Sequence, residues 1–338
     1  MEKKRTGIDI IIPIYNAYDD LVKCINSITK YTDLTLDRLI LINDKSPDER
    51  IKEYLDGLGL NNLVVIHNEQ NMGFSNNVNK GMNYSDNRDV LLLNSDTVVT
   101  KNWIDKIYRC AYSDRAIGTV TPLSNSATLC SVPITCQDNN IPDGLGIDDM
   151  AYLVEKYSIK AYPRITVAVG FCMFIKREVI ETVGLFDAET FEKGYGEEND
   201  FCNRAEQFGY YHVMCDDTFI YHKGTVSFKS EEKIKLIEEH DKILNERYAE
   251  QMNNNSVYCI KNPDQYIRDN LNVHIDLHNG RKNLLYMLHL DFRSDVKKDV
   301  NSNVGGTQFH VKDLTDELKF KFNIFVLSRD KECIHLTI

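Results

Sequence analysis

The sequence predicts an α/β fold: a mostly parallel central sheet flanked by helices, then a partial Rossmann-like βαβ unit near the end of the chain. Three observations predict it. Short continuous apolar runs recur through the first half, as in strands buried on both faces of a parallel sheet. Segments of helical period stand between them, and strands alternating with helices imply βαβ units. The same strand–helix–strand rhythm returns once more close to the C-terminus.

Residues 8–14 form the first apolar run, followed by Leu21, Val22, Ile25 and Ile28 on one helical face. Leu39-Ile40-Leu41-Ile42 is the second strand. Ser46-Pro47-Asp48-Glu49 then reads as a helix start, with Ser46 as N-cap, Pro47 in the first turn and Glu49 closing a capping box. Residues 63–66 and 90–93 are the third and fourth strands, with a helix over 73–84 between them. Trp103, Ile104, Ile107, Tyr108 and Ala111 give the next helix one apolar face.

The pattern weakens over 124–163; four of the seven prolines lie between Pro122 and Pro163, the polar run Gln137-Asp138-Asn139-Asn140 falls within the stretch, and a surface excursion is predicted. A strand over 166–175, a helix over 198–208 and an extended segment over 212–221 follow. A long charged helix is predicted over 230–251 and a connector over 253–280. In the last stretch, a strand over 283–290, Gly305-Gly306 before Phe309, Val311, Leu314 and Leu318 at helical spacing, and a strand over 322–327 make one βαβ unit. A lone unit of this kind does not cover both faces of its sheet, so a longer protein is expected. The predicted organisation is one domain over 1–228, a helical extension and connector over 229–281, and a truncated unit over 282–338.

Composition narrows the function classes. Hydrophobic residues make up 42% and charged residues 27% of 338 residues, an ordinary globular balance. A net charge of −11 argues against nucleic acid as a partner, because neutralising phosphates takes clustered Lys and Arg. A single bound nucleotide stays compatible, since a divalent cation supplies local positive charge. Nine cysteines show no CxxC pair and no zinc-like spacing, which points to free thiols and a cytoplasmic location. No run approaches the roughly 20 apolar residues of a membrane span, so association with a membrane is expected to be peripheral, at its inner face.

Seven short motifs carry the chemistry. They are Ile12-Pro13-Ile14-Tyr15-Asn16, Asn43-Asp44, Asn71-Met72-Gly73-Phe74, Leu93-Asn94-Ser95-Asp96, Gly170-Phe171-Cys172-Met173, Gly196-Glu197-Glu198-Asn199-Asp200 and His222-Lys223-Gly224. Each is weak alone. Together, in this order, they resemble inverting family 2 glycosyltransferases of the GT-A fold, over residues 8–228. The C-terminal unit resembles, less specifically, the start of a GT-B glycosyltransferase domain.

The resemblance implies transfer of a sugar from a UDP- or dTDP-sugar to a hydroxyl of a glycan or lipid-linked acceptor, in bacterial cell-surface polysaccharide or glycoprotein glycan synthesis. It implies Mn²⁺ or Mg²⁺ on Asp96, the last acid of a reduced DXD motif, with His222 completing the metal site. Such hard cations take oxygen ligands and offset the charge of a departing diphosphate. Pro13, Tyr15, Asp44, Asn71, Gly73 and Ser95 are the implied nucleotide contacts. Gly170, Phe171, Asp200 and Lys223 fall to the sugar and acceptor side, Lys223 also being placed to meet the diphosphate. The general base falls on Glu198 by alignment, with Glu197 as the alternative. Each residue also has a plainer explanation: Asp96 and Asp44 as turn residues, Tyr15 as a core tyrosine, His222 as a loop histidine, and the acids of 197–200 as partners of a helix N-terminus and of Arg204.

Two other nucleotide-binding classes lack their marks. No Gly-rich, basic loop of a pyrophosphorylase and no G-x-G-x-x-G follows the first strand. The rival from a different class is a degenerate, non-catalytic nucleotide-sugar-binding or scaffolding module, suggested by Asn94-Ser95-Asp96 and by Glu at the base position.

Overall fold

The computed structural model describes residues 5–85, 87–224, 231–278, 280–288, 306–329 and 334–337. The chain divides into two compact units, residues 1–272 and 273–338. The first unit opens with the alternation the sequence predicts: β1 (Asp9–Ile14), α1 (Tyr18–Tyr31), β2 (Arg38–Asn43), α2 (Glu49–Asp56), β3 (Leu63–His67), α3 (Phe74–Tyr84) and β4 (Val90–Leu93). It continues through β5 (Thr97–Val98), α4 (Trp103–Ala111), β6 (Ile117–Leu123), α5 (Ile147–Tyr157), β7 (Arg164–Ile165), β8 (Cys172–Ile175), α6 (Arg177–Val183), α7 (Glu197–Gln207), β9 (Tyr211–Phe219) and β10 (Tyr221–His222). Two helices follow, α8 (Glu231–Lys261) and α9 (Gln265–Leu277), the second crossing into the next unit.

One eight-stranded sheet organises the unit, in the order β3-β2-β1-β4-β8-β6-β9-β7. Strands β3, β2, β1 and β4 run parallel. Strand β8 is antiparallel to both of its neighbours, β6 and β9 are parallel, and β7 closes the edge antiparallel. Ile10, Ile11, Ile12, Leu39, Ile40 and Leu41 are fully buried because helices cover both faces of the sheet. Each such side chain contributes about 1.5–3 kcal/mol. Strands β1, β2 and β4 end side by side, and in open α/β sheets ligands sit beyond those carboxyl ends.

Four local expectations give way. Helix α2 starts at Glu49 with Asp48 as its N-cap, the carboxylate accepting from the Arg50 amide at 3.1 Å. Ser46 is diverted: its hydroxyl accepts from the Asn16 amide at 3.1 Å and so ties down the exit of β1. The strand predicted over 166–175 is interrupted. The amides of Ala168, Val169 and Gly170 donate to side chains of Cys202, Thr121 and Glu198 in place of a neighbouring strand. The stretch predicted as a surface excursion begins deep inside, with Ser124, Leu129, Cys130, Ser131 and Val132 all at most 2% exposed. Its polar groups bond inward, for example Ser124 N to Cys130 O at 3.1 Å and Ala127 N to Ser131 Oγ at 2.8 Å.

The fourth concerns the predicted connector, half of which is α9, while α8 runs ten residues past its predicted end, with a non-helical Tyr248 inside it. Both helices are tied into the first unit. Arg247 and Tyr248 bond Asp200 at 3.1 and 2.8 Å, and the buried Arg268 donates to Ser131 O at 2.9 Å. Within the second unit, β11 (Lys282–Met287) and β12 (Phe322–Arg329) are parallel, α10 (Gly306–Leu318) lies between them in sequence, and β13 (Ile334–Thr337) adds an antiparallel strand to β12. Gly305 lies outside the described residues. No helix among the described residues is long and apolar enough to cross a membrane.

Candidate active site

A cleft of about 420 Å³ opens at the carboxyl ends of β1 and β4. It is lined by Pro13, Tyr15, Phe74, Asn94, Ser95, Asp96, Gly170, Phe171, Lys193, Gly194, Tyr195, Glu197, Glu198 and His222. Eleven of these come from six of the seven sequence motifs, brought together because their strands and helix starts end at one edge of the sheet.

Asp96 follows β4. The turn is fixed by Asn94 N donating to Phe171 O at 2.8 Å and by Thr97 Oγ1 donating to Asn94 O at 2.8 Å. The two-residue ladder of β5 and β10 pairs Thr97 with His222, which sets the imidazole beside the carboxylate. His222 Nε2 stands 3.3 Å from Asp96 Oδ1, and the ring stacks on Phe171 with centroids 5.1 Å apart. Nδ1 lies 2.7 Å from Ser126 O, a pure acceptor, so Nδ1 carries hydrogen, and Nε2 is the nitrogen turned to Asp96, donating to it when protonated and offering a lone pair once the proton is lost. Burial disfavours the imidazolium, but the hydrogen bond and charge of Asp96 outweigh it and raise the histidine above its ordinary value. Asn125 braces the backbone, donating to His222 O at 2.8 Å and accepting from His222 N at 3.0 Å.

The other acids stand at the start of α7. Glu198 is half-buried, and its Oε1 accepts from Gly170 N at 3.1 Å. A Cβ on Gly170 would sit 2.3 Å from that oxygen, so glycine is what lets the carboxylate reach the strand. Glu197 is 2% exposed, and its Oε2 accepts from Gly196 N at 3.0 Å. Burial, then the charge of Glu198, pushes the Glu197 carboxyl well above the usual range. The protonated form is thus favoured at Glu197, and both glutamates line the cleft.

Five predicted site residues lie outside the cleft lining. Asp44 is 3% exposed and its carboxylate is spent locally, on Asn68 Nδ2, Met72 N and Gly73 N at 2.8, 2.9 and 3.1 Å. Asn71 Oδ1 accepts from the same Gly73 amide at 3.1 Å. Gly73 has φ +79, and a Cβ there would meet Glu192 O at 2.5 Å, so this knot packs the turn before α3 against the 191–196 loop. Asp200, expected on the sugar side, is buried and bonded by Arg204, Arg247 and Tyr248. Lys223 pairs with Asp20 at 2.7 Å and borders a smaller hollow of about 120 Å³ on the other side of Asp96.

Sequence reasoning missed Lys193 and Tyr195 in the cleft, and Asn125 and Ser126 beneath His222. None sits at helical or strand period, and only the acidic knot that follows marks 193–195 as near a site.

The family model described as glycosyl transferase family 2 matches residues 9–184. Glycosyltransferase GlyG of Streptococcus pneumoniae serotype 4 is 30% identical over 104 residues, 30% of this chain and 34% of that protein. The minor teichoic acid biosynthesis protein GgaB of Bacillus subtilis is 33% identical over 113 residues, 32% of this chain and 12% of that protein. The aligned stretch thus spans about a third or less of these relatives' lengths. Among solved structures, GalNAc-T7 with UDP, GalNAc and Mn²⁺ matches with a TM-score of 0.56 at 18% identity, over 79% of this chain and 54% of that one. The mannosyltransferase PcManGT from Pyrobaculum calidifontis, with GDP-Man and Mn²⁺, matches with a TM-score of 0.53 at 12% identity, over 80% and 74%. At such identities the likeness is one of fold, and the fold is GT-A-like.

Proposed function

The chain belongs to glycosyl transferase family 2, and we propose that it is a divalent-metal-dependent, inverting glycosyltransferase. In this proposal it moves a sugar from a UDP- or dTDP-sugar to a hydroxyl of a glycan or lipid-linked acceptor in cell-surface glycan synthesis, at the cytoplasmic face of a membrane. The observation that carries it is the meeting of Asp96, His222 and Glu198 in one cleft at the sheet's carboxyl edge.

The residues fit a metal of this class. A carboxylate and an imidazole lone pair converge from 3.3 Å apart, and the Nδ1 contact to a carbonyl is the outer bond that orients a ligating histidine. Asp96 and His222 would hold Mn²⁺ or Mg²⁺, the remaining positions going to diphosphate oxygens and water. Among the described residues no cluster of three or more ligating side chains exists. Such an ion supplies charge stabilisation to the leaving diphosphate.

The chain's own residues do the rest. Tyr15, 53% exposed at the end of β1, offers a face for the base. Phe171 keeps the His222 ring in plane. Glu198 takes the proton of the acceptor hydroxyl as its oxygen bonds the anomeric carbon and the bond to diphosphate breaks. The second unit fits the start of a GT-B domain within a longer, multi-domain chain, supported by its parallel β11–β12 pair.

Thermal melts with UDP-, dTDP- and GDP-sugars, with and without Mn²⁺, test the proposal. Ligand at about 100 times its Kd stabilises by roughly 2.7 kcal/mol. Metal-dependent stabilisation together with release of nucleoside diphosphate is expected. Stabilisation without release, across acceptors, would leave a binding module, and equal stabilisation without metal would remove the metal.

Gly170→Ala offers a narrower check. The nearest atoms to the added methyl all belong to the Glu198 side chain, its carboxylate foremost, and that side chain is flexible. Melting should change little, while kcat falls by up to about 10²-fold as the base is displaced by an ångström. Steady-state kinetics beside a melt decide it.

A further inference from the structure

Cys136 and Cys259 lie 123 positions apart in the chain, yet their sulfurs stand 3.2 Å from each other. Cys136 is exposed and Cys259 half-buried, whereas Cys24, Cys110, Cys130, Cys172, Cys202 and Cys215 are all buried. The pair joins two parts that already interlock. Cys136 belongs to the loop that seats His222: its amide donates to Thr128 O at 2.8 Å, Ser126 O receives His222 Nδ1, and Asn139 N donates to Asn125 O at 2.8 Å. Cys259 belongs to α8. Helix α9, which follows α8 directly, grips the same loop through Arg268 on Ser131 O at 2.9 Å, and through Asn272 on Pro133 O at 3.4 Å.

We propose that Cys136 and Cys259 are a thiol–disulfide exchange site, which low-molecular-weight disulfides such as oxidised glutathione convert to a covalent tie between α8 and the His222 loop. The sulfurs need to close from 3.2 Å to about 2.05 Å, within the reach of side-chain rotation. Exposure makes Cys136 the first to react. Its thiolate attacks one sulfur of oxidised glutathione and expels one glutathione thiolate, leaving a mixed disulfide. Cys259 then gives up its proton and attacks the Cys136 sulfur, and the second glutathione leaves. Two protein thiols are oxidised, one glutathione disulfide is reduced to two thiols, and the protons pass to the leaving thiolates. Burial, then the neighbouring Cys136, pushes the Cys259 thiol up to about 12, in keeping with its acting second, inside the protein.

The tie stands independently of the catalytic proposal, since its formation is read without donor or acceptor. The full chain is equilibrated in glutathione buffers from fully reduced to fully oxidised, quenched with an alkylating agent and mapped by mass spectrometry. A crosslink between Cys136 and Cys259 is expected, with the six buried thiols unmodified. The oxidised chain should melt higher by on the order of 10 °C, because the bridge closes a long loop in the unfolded chain. Amide exchange over 124–139 should slow. Cys136→Ser should show no crosslink and a melt indifferent to the buffer. A glutathione adduct that persists on Cys136, or two thiols still alkylated in the oxidised buffer, overturns the exchange site. A crosslink that leaves exchange over 124–139 unchanged overturns the tie to the loop.

Discussion

Replacing Asp96 with alanine is expected to lower kcat/KM by about 10³-fold or more and to abolish the response to Mn²⁺. A metal at a leaving diphosphate supplies several kcal/mol of transition-state stabilisation, and each 1.36 kcal/mol is about tenfold in rate. The fold should survive the change. The Asp96 side chain is 22% exposed and forms an ion pair with His222, and such partly exposed pairs contribute about 1 kcal/mol or less. Its backbone carbonyl, which accepts from Lys223 N at 3.1 Å, is untouched. Melting should therefore shift by a few degrees at most, while metal-induced stabilisation in the presence of nucleotide disappears. A variant that turns over at the wild-type rate with an unchanged metal optimum would remove Asp96 from the site.

The parts of the fold that were legible are those where burial alone decides the residue type. Strands β1, β2 and β4 read directly from their apolar runs, because both faces of each are covered and no polar side chain interrupts them. The acids at 96 and 197–198, and His222, were legible as motifs in order along the chain. Tertiary competition for hydrogen bonds was not. Ser46 has every local mark of an N-cap, yet it is spent on the amide of Asn16, in the bend just past β1. The interruption before β8 is caused by Cys202, Thr121 and Glu198, three residues far away in sequence. The buried polar loop 124–132 reads as surface because its serines satisfy one another, and no periodicity records that. Asp44 illustrates the same limit at the site: an acid past a strand end suits a nucleotide, and nothing local shows that it also accepts from the amides of the turn before α3.

Glu198→Gln and Glu197→Gln are expected to separate two adjacent carboxyls of opposite duty. Glutamine at 198 keeps an oxygen to accept from Gly170 N, so donor binding and the fold should persist. It has no basic lone pair of useful strength, and kcat should fall by about 10²–10⁴-fold, the usual span for a lost general base. Glutamine at 197 mimics the protonated carboxyl that burial and the charge of Glu198 already favour. It retains an acceptor for Gly196 N and a donor for its neighbour, and transfer should stay within a few-fold of wild type.

The two variants should differ in stability as well. A carboxyl whose folded pKa is raised holds a proton that the unfolded chain, with its ordinary value of 4.5, gives up as pH rises. The wild type therefore loses stability from about that pH upward until the folded group itself ionises, by at most about 1.4 kcal/mol per pH unit. Glu197→Gln removes that loss, so it should gain on the wild type as pH is raised and match it most closely in acid, in urea titrations run at several pH values. If instead the 197 variant loses transfer while the 198 variant keeps it, the buried carboxyl is the base, and the acceptor's proton passes to Glu197 at the start of α7.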